Sequence, residues 1–354
     1  MGRREWKDRW LLSRHPLAVA TGVFGIAALL LALWALRDVL LLGFLAVLIA
    51  VVFTFPVDWL SRRIPRGLAV VAVLVTVLAG VGAFAWLAVP PLLAQGKQLI
   101  QTVPTAVDNA KVWIARTARA SRLGAKPQEV TQTVQEHATN AATGLFDQVV
   151  PAALGTVELG ATAILLLVLA AFLAHAPHAY RDALRTLVPR DLEPHFDETW
   201  RRVATGLRHW VGGILISMTL MGAFTALGLF LAGIPGWPLL AVLTFFGTFV
   251  PYLGAIASAV PGLVIGLAQS PLKLFAASGV YLAVHIVEGY VVQPLVMKRA
   301  VEIRPATLLM GQVAAGALFG VLGSVVATPL VVCLKAAVGY LWIEQRLGKK
   351  GPTP

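Results

Sequence analysis

Charge is scarce in this chain. Lys, Arg, Asp and Glu make up 13% of its 354 residues while hydrophobic residues make up 58%, against about 25% and about 45–50% in soluble domains. A soluble fold of this length needs more charge to cover its surface, and a disordered chain needs far less apolar content, so both are excluded. Cysteine is nearly absent: the single Cys333 rules out an internal disulfide framework and any multi-cysteine zinc or iron–sulfur site. No G-x-x-x-x-G-K-[ST] loop, nucleophile elbow or zinc-protease helix occurs, so nothing points to an ATP-driven motor or an enzyme. No metal-ligand spacing recurs, and neither metal nor cofactor is expected.

The sequence does have long apolar runs. Runs at about 17–36, 39–55, 68–89 and 159–174 and a fifth at 211–231 are each near the roughly 20 residues that cross hydrocarbon as a helix. The expected fold class is therefore all-α: a polytopic helical membrane protein with five to eight spans. Pro56, with Arg62, Arg63 and Arg66, is expected to end the second span, and Pro90-Pro91 to close the third. The net charge of +12 sits mostly in short segments between runs, as the positive-inside rule produces. It does not mark a nucleic-acid surface, because no aromatic-interleaved basic stripe accompanies it.

Three domains are read from this pattern. Residues 1–91 hold three spans. Residues 92–158 carry six basic residues against five acidic ones, with Leu99, Ile100, Val103 and Val107 at helical spacing. They read as a small water-exposed module of amphipathic helices. Residues 159–354 form a transport half. Within it Glu193-Pro194 and Asp197 mark the start of a long cytoplasmic helix, 193–212, that runs into the fifth span. Gly233-Ile234-Pro235-Gly236 is a turn.

Two further stretches are too long for simple spans. Residues 237–270 carry no charge; as one helix they would measure roughly 50 Å against a core of about 30 Å, and Pro251 and Pro261 interrupt them. Residues 305–342 are uncharged up to Lys335, with Gly316, Gly320, Gly323 and Pro329 as interruptions. Charge counting favours two broken, re-entrant helical hairpins here, separated by a span at 274–296. With the amino terminus inside, that layout leaves both termini cytoplasmic and every short loop obeying the charge rule except at Lys273. Broken helices expose main-chain polar groups that lipid cannot satisfy, and transporters use such breaks to face substrates and ions. Pro251, Tyr252, Gly254, Gly316, Gly320, Gly323 and Pro329 are therefore the substrate-path candidates. Close helix packing is the alternative for the glycines.

The span at 274–296 carries His285 and Glu288, three residues apart and on one helical face. Ionisable groups inside a span are costly and are functional candidates by default. A carboxyl beside an imidazole can take up and release a proton or hold a cation, which makes this pair the ion-coupling candidate. Gln293-Pro294 would end or bend the helix. Asp58 reads as a surface ion pair with the nearby arginines, and Trp86, Trp237 and 340–342 as interfacial aromatics.

Gly233-Ile234-Pro235, Val250-Pro251-Tyr252-Leu253-Gly254, Glu288 with Pro294, Arg304-Pro305, Gly320-Val321-Leu322-Gly323 and Ala327-Thr328-Pro329 occur in that order. This pattern resembles the autoinducer-2 exporter family of bacterial transporters, the PerM-like permeases. The likeness is strong over about 195–340; the amino-terminal half matches in span layout and around Pro56. In the family the glutamate is commonly followed by asparagine, and here Gly289 follows it. The resemblance implies a multi-pass permease of the bacterial inner membrane, forming homo-oligomers such as pentamers. Family members are assigned export of autoinducer-2, or sodium or proton exchange. The expected function is secondary transport: export of a small polar molecule, or exchange of a monovalent cation for protons. A passive oligomeric channel and a scaffold holding an external partner through 92–158 remain open alternatives.

Overall fold

The computed structural model describes residues 16–88, most of 90–113, and residues 157–251, 253–292 and 305–349. Most of the 92–158 module, Tyr252, Gln293-Pro294 and Arg304 lie outside the described residues. Among the described residues the chain is helical without strands. The first three helices are α1 (Pro16–Ala35), α2 (Arg37–Leu60) and α3 (Arg66–Leu87). After the described helical residues of 90–113 come α4 (Val157–His175) and α5 (Pro177–Arg185). Then follow α6 (Glu193–Leu231), α7 (Trp237–Gly247), α8 (Leu253–Gln269), α9 (Pro271–Val287) and α10 (Pro305–Val338).

Among the described residues, five segments are long and apolar enough to cross a bilayer by length and composition alone: α2, α3, α6, α9 with its following turn, and α10 with its own. Counting α4 together with α5, bent 77° from it, makes a sixth. Their flanks carry large apolar side chains in the open, such as Val71 at 56%, Leu165 at 66% and Phe275 at 62% exposure. Water would penalise that surface and lipid accepts it. The protein is a multi-pass helical membrane protein.

α6 is the mast. Its 39 residues start with Glu193 and Pro194, which suit a first turn, and the helix continues unbroken from the polar segment into the apolar one. One side packs Trp210, Val211, Ile214 and Met218 on Leu48 of α2 and Val332 of α10. Further along, Leu229 joins Ile234, Leu240 of α7, Ile265 of α8, and Ala277 and Tyr281 of α9. A separate core of Phe53, Val57, Ala69, Val70, Ala170 and Ala174 joins α2, α3 and α4. Asp58 pairs with Arg66 at 3.4 Å and with Arg208 of α6 at 2.9 Å, the surface ion pair its position suggested. Arg66 also donates to the carbonyls of Ala174 and His175, at 2.9 and 3.0 Å, closing the end of α4.

Both over-long stretches fold back on themselves. In the first, α7 and α8 form a hairpin broken between Gly247 and Leu253. α7 has 11 residues, roughly 16 Å at 1.5 Å per residue, and cannot cross a core of about 30 Å. In the second, α10 turns at Gly320, whose φ of 67° and ψ of −152° are open to glycine alone. Gln312 meets Thr328, Gly311 faces Val331 and Gly316 faces Ser324, so the two arms run antiparallel. The first arm, 305–319, spans roughly 22 Å. Of the expected interruptions only the one around Pro251 and the one at Gly320 are breaks. Pro261 and Pro329 lie inside helical arms, and Pro56 lies inside α2 rather than ending it. Each proline removes one backbone hydrogen bond, while packing of neighbouring helices preserves the direction: Pro261 and Pro329 are both buried.

Lys273, the exception to the charge pattern, has a structural use. Its ammonium donates to the carbonyls of Ala232 and Gly233, at 2.5 and 3.3 Å. A cation at the end of α6 meets unpaired carbonyls and the negative end of the helix dipole.

Candidate functional site

The break in the first hairpin is built from three devices. Thr244 and Thr248 donate their hydroxyls back to the carbonyls of Leu240 and Thr244, at 2.9 and 2.7 Å. Both hydroxyls are buried, and each is satisfied by the carbonyl one turn back in the same helix. Pro251 sits in the turn, where Leu253 N–H donates to its carbonyl at 2.8 Å. Gly247 and Gly254 bring the two backbones into direct contact: a methyl on Gly254 would overlap the carbonyl of Gly247. The turn rests on α6 through Phe249, edge-on to Trp210 with ring centres 5.6 Å apart.

The second hairpin uses glycine in the same way. A methyl on Gly323 would overlap the carbonyl of Ala315, and one on Gly316 would press on the hydroxyl of Ser324. Gly254, Gly316 and Gly323 are thus close-approach positions, and Gly320 is the hinge. Between the arms Gln312 donates to the Thr328 hydroxyl at 3.1 Å, yet its own Oε1 is buried without a partner. Gln312 is completely buried. No motif or spacing singled it out, although it is the only carboxamide in the uncharged stretch 305–334. Thr225 of α6 is a further buried residue whose hydroxyl lacks a hydrogen bond.

His285 and Glu288 come together as their spacing suggested. The His285 Nδ1 lies 3.2 Å from Glu288 Oε2, with side chains 33% and 19% exposed. α9 gives way to an i→i+5 turn at Glu288, covering Glu288–Val292. Such turns widen a helix locally and recur at functional positions. Val284 and Val292, flanking the pair, pack on Met221 of α6. Met221 stands midway along the apolar half of that helix, and Glu288 lies in the last turn of the candidate span Pro271–Tyr290. A methyl added at the neighbouring Gly289 would meet nothing within 4 Å. No group of three potential metal ligands occurs among the described residues.

At the base of α6, ion pairs tie it to the end of α10. Arg202 donates to both oxygens of Glu344, at 2.7 and 2.9 Å, and to Glu198 at 2.6 Å. Its guanidinium also lies over Tyr340, 4.7 Å from the ring centre. Tyr340, expected among the interfacial aromatics, is buried, with its hydroxyl 3.2 Å from His195 Nδ1. Hydrogen bonds from Arg201 and Arg202 hold the Glu198 carboxyl down at about 2. Glu198 stands about three turns before the apolar part of α6.

A broken hairpin, a hinged hairpin and a helix carrying a carboxyl–imidazole pair all pack on α6. The family model described as AI-2E family transporter matches residues 24–342. The chain belongs to the AI-2E transporter family. It is 27% identical over 321 residues to a Mycobacterium tuberculosis protein assigned by name to transport, covering 89% of this chain and 87% of the relative. It is 24% identical over 320 residues to PerM of Escherichia coli, assigned by name as a permease, covering 87% and 90%. With YhhT of the same bacterium, also assigned to transport by name, it shares 23% over 329 residues, covering 91% and 89%. The family match reaches from α1 to the turn after α10, and so takes in both hairpins and the pair.

Proposed function

We propose that this family member is a secondary transporter that couples an ion gradient to the export of a small polar molecule, or exchanges a monovalent cation for protons. The observation that carries this reading is the half-buried Glu288, in contact with His285 at an i→i+5 turn against the middle of α6. A carboxyl in that setting changes charge at a cost that depends on what lies beside it. A proton shared with the imidazole and a cation held by the carboxylate are alternative ways to neutralise it, and that exclusion is the basis of exchange. The two hairpins would form the path walls: the breaks around Pro251 and at Gly320 supply main-chain dipoles, and the arms can shift about them. The protein would act in the bacterial inner membrane as a homo-oligomer, with both termini cytoplasmic.

The test is flux through vesicles reconstituted with the full chain under imposed sodium and proton gradients, with autoinducer-2, sodium and protons as measured species. Glu288→Gln is isosteric and removes the titrating group. It should abolish gradient-driven flux while the protein still inserts and assembles. Unchanged flux in Glu288→Gln would remove the pair from the mechanism, and ohmic currents without coupling would make the protein a channel.

A further inference from the structure

The described part of 90–113 lies across the open end of the first hairpin, opposite its break. Two side-chain amides hold it there. Gln95 Oε1 accepts from the Leu239 N–H, at 3.3 Å, in the first turn of α7. Asn109 Nδ2 donates to the carbonyls of Ala268 and Leu267, at 2.7 and 3.3 Å, in the last turn of α8. Each end of the hairpin thus has an orphan main-chain group satisfied by the same segment. Val107, buried, packs on Val264 between them.

The positions facing the hairpin follow a helical repeat. Gln95, Gln98, Thr102, Thr105 and Asn109 are spaced by three and four residues, so they form one uncharged polar stripe. Between that stripe and the hairpin is a cavity of about 450 Å³. Gln95, Gln98, Gln101 and Gln269 bring carboxamides to its wall, and Thr102 and Thr105 bring hydroxyls. Among the residues that line it none is ionisable. The nearby ammonium of Lys273 is engaged by the carbonyls of Ala232 and Gly233.

We infer that this cavity is a binding site for an uncharged, multiply hydroxylated small solute. A carboxamide offers two donors and one acceptor oxygen, and a hydroxyl offers both roles. A wall of such groups matches a solute whose hydroxyls each donate and accept. It gives a bare charge no counter-charge, and a desolvated ion without one is strongly disfavoured. Gln95 uses its oxygen on Leu239 and keeps its NH₂ for a ligand. Gln269 uses its NH₂ on the Ile265 carbonyl, at 3.4 Å, and keeps its oxygen. Donors and acceptors are thus presented from opposite walls. The site's place as a station on a permeation path rests on the transport reading above; the binding itself does not.

Binding is measured without flux by protection of an introduced thiol. In the full-length, reconstituted protein with Cys333→Ala, Thr105→Cys is labelled with a membrane-impermeant maleimide. Erythritol, ribitol, sorbitol and D-ribose are the uncharged probes; ribose 5-phosphate and sodium chloride are the charged ones. At least one polyol should slow labelling, and the charged probes should not at the same concentration. Gln98 and Gln101 are exposed, so Gln98→Ala with Gln101→Ala should leave folding alone while raising the half-protecting concentration at least tenfold. The inference is overturned if none of the polyols protects up to its solubility, if the double variant is protected like the parent, or if ribose 5-phosphate protects equally well. Protection without flux would retire the coupling reading and leave this site standing. Flux without protection would do the reverse.

Discussion

Replacing Gly254 with alanine adds one methyl group at the tightest point of the first hairpin. The atoms it would meet are the carbonyl oxygen, carbonyl carbon and Cα of Gly247. All are backbone, so no side-chain rotation can relieve the overlap, and α7 and α8 must separate. Overpacking a well-filled interior costs about 1–3 kcal/mol, and a purely main-chain obstacle belongs near about 3. The greater helix propensity of alanine returns at most about 1 kcal/mol, leaving a net loss of about 2. Gly279 provides the contrast: it lies inside α9 and has nothing within 4 Å of an added methyl. There the same substitution should stabilise by up to about 1 kcal/mol. The two variants should therefore differ by about 3 kcal/mol in denaturant unfolding of the detergent-purified protein, with Gly254→Ala below wild type and Gly279→Ala at or above it. Equal midpoints for the two variants would refute the claim that the hairpin arms meet backbone to backbone.

Gly320→Ala should cost about 1–3 kcal/mol in the same assay, because its hinge angles are strained for any side chain; a midpoint at wild type would show that the second hairpin does not turn there. Thr328→Val leaves the Gln312 amide without its hydroxyl and should cost about 1–3 kcal/mol, whereas Thr328→Val with Gln312→Met removes both partners and should recover most of it. Midpoints that fail to recover would show that Gln312 has other partners. The Glu198 carboxyl, held at about 2 by Arg201 and Arg202, should stabilise the base of α6 fully above about pH 5. That contribution declines as pH falls from there through the folded value, since an unfolded glutamate titrates near about 4.3. Glu198→Gln should remove this part of the acid sensitivity in a pH series of melting temperatures; an unchanged profile would show that the cluster is open in solution.

Much of this molecule was legible from composition and period alone. The lack of charge fixed a membrane protein, because lipid is the only solvent that tolerates so much apolar surface. Run lengths located α2, α3, α4 and the apolar half of α6. The acidic first turn and Pro194 located where α6 begins, and the His285–Glu288 spacing predicted a contact that the fold makes. The two over-long uncharged stretches pointed to hairpins because a single helix would overshoot the hydrocarbon. What misled were single breakers: Pro56, Pro261 and Pro329 look like interruptions, yet each sits within a helix. A missing N–H costs one hydrogen bond, and packing from neighbouring helices, which lie far off in sequence, decides whether the helix continues.

Local chemistry, then, determined that this chain lives in a bilayer, where its helices run and which stretches must bend. It could do so because hydrophobic length and helical period act over a few residues and need no partner. The tertiary structure alone decided which breaker is a hinge, that Gly254, Gly316 and Gly323 serve close approach, that Gln312 is sealed between two arms and that Gln95 and Asn109 clasp the ends of the first hairpin. Those outcomes depend on which surfaces meet across distances as long as the 158 positions between Asn109 and Leu267, and no local pattern encodes that meeting.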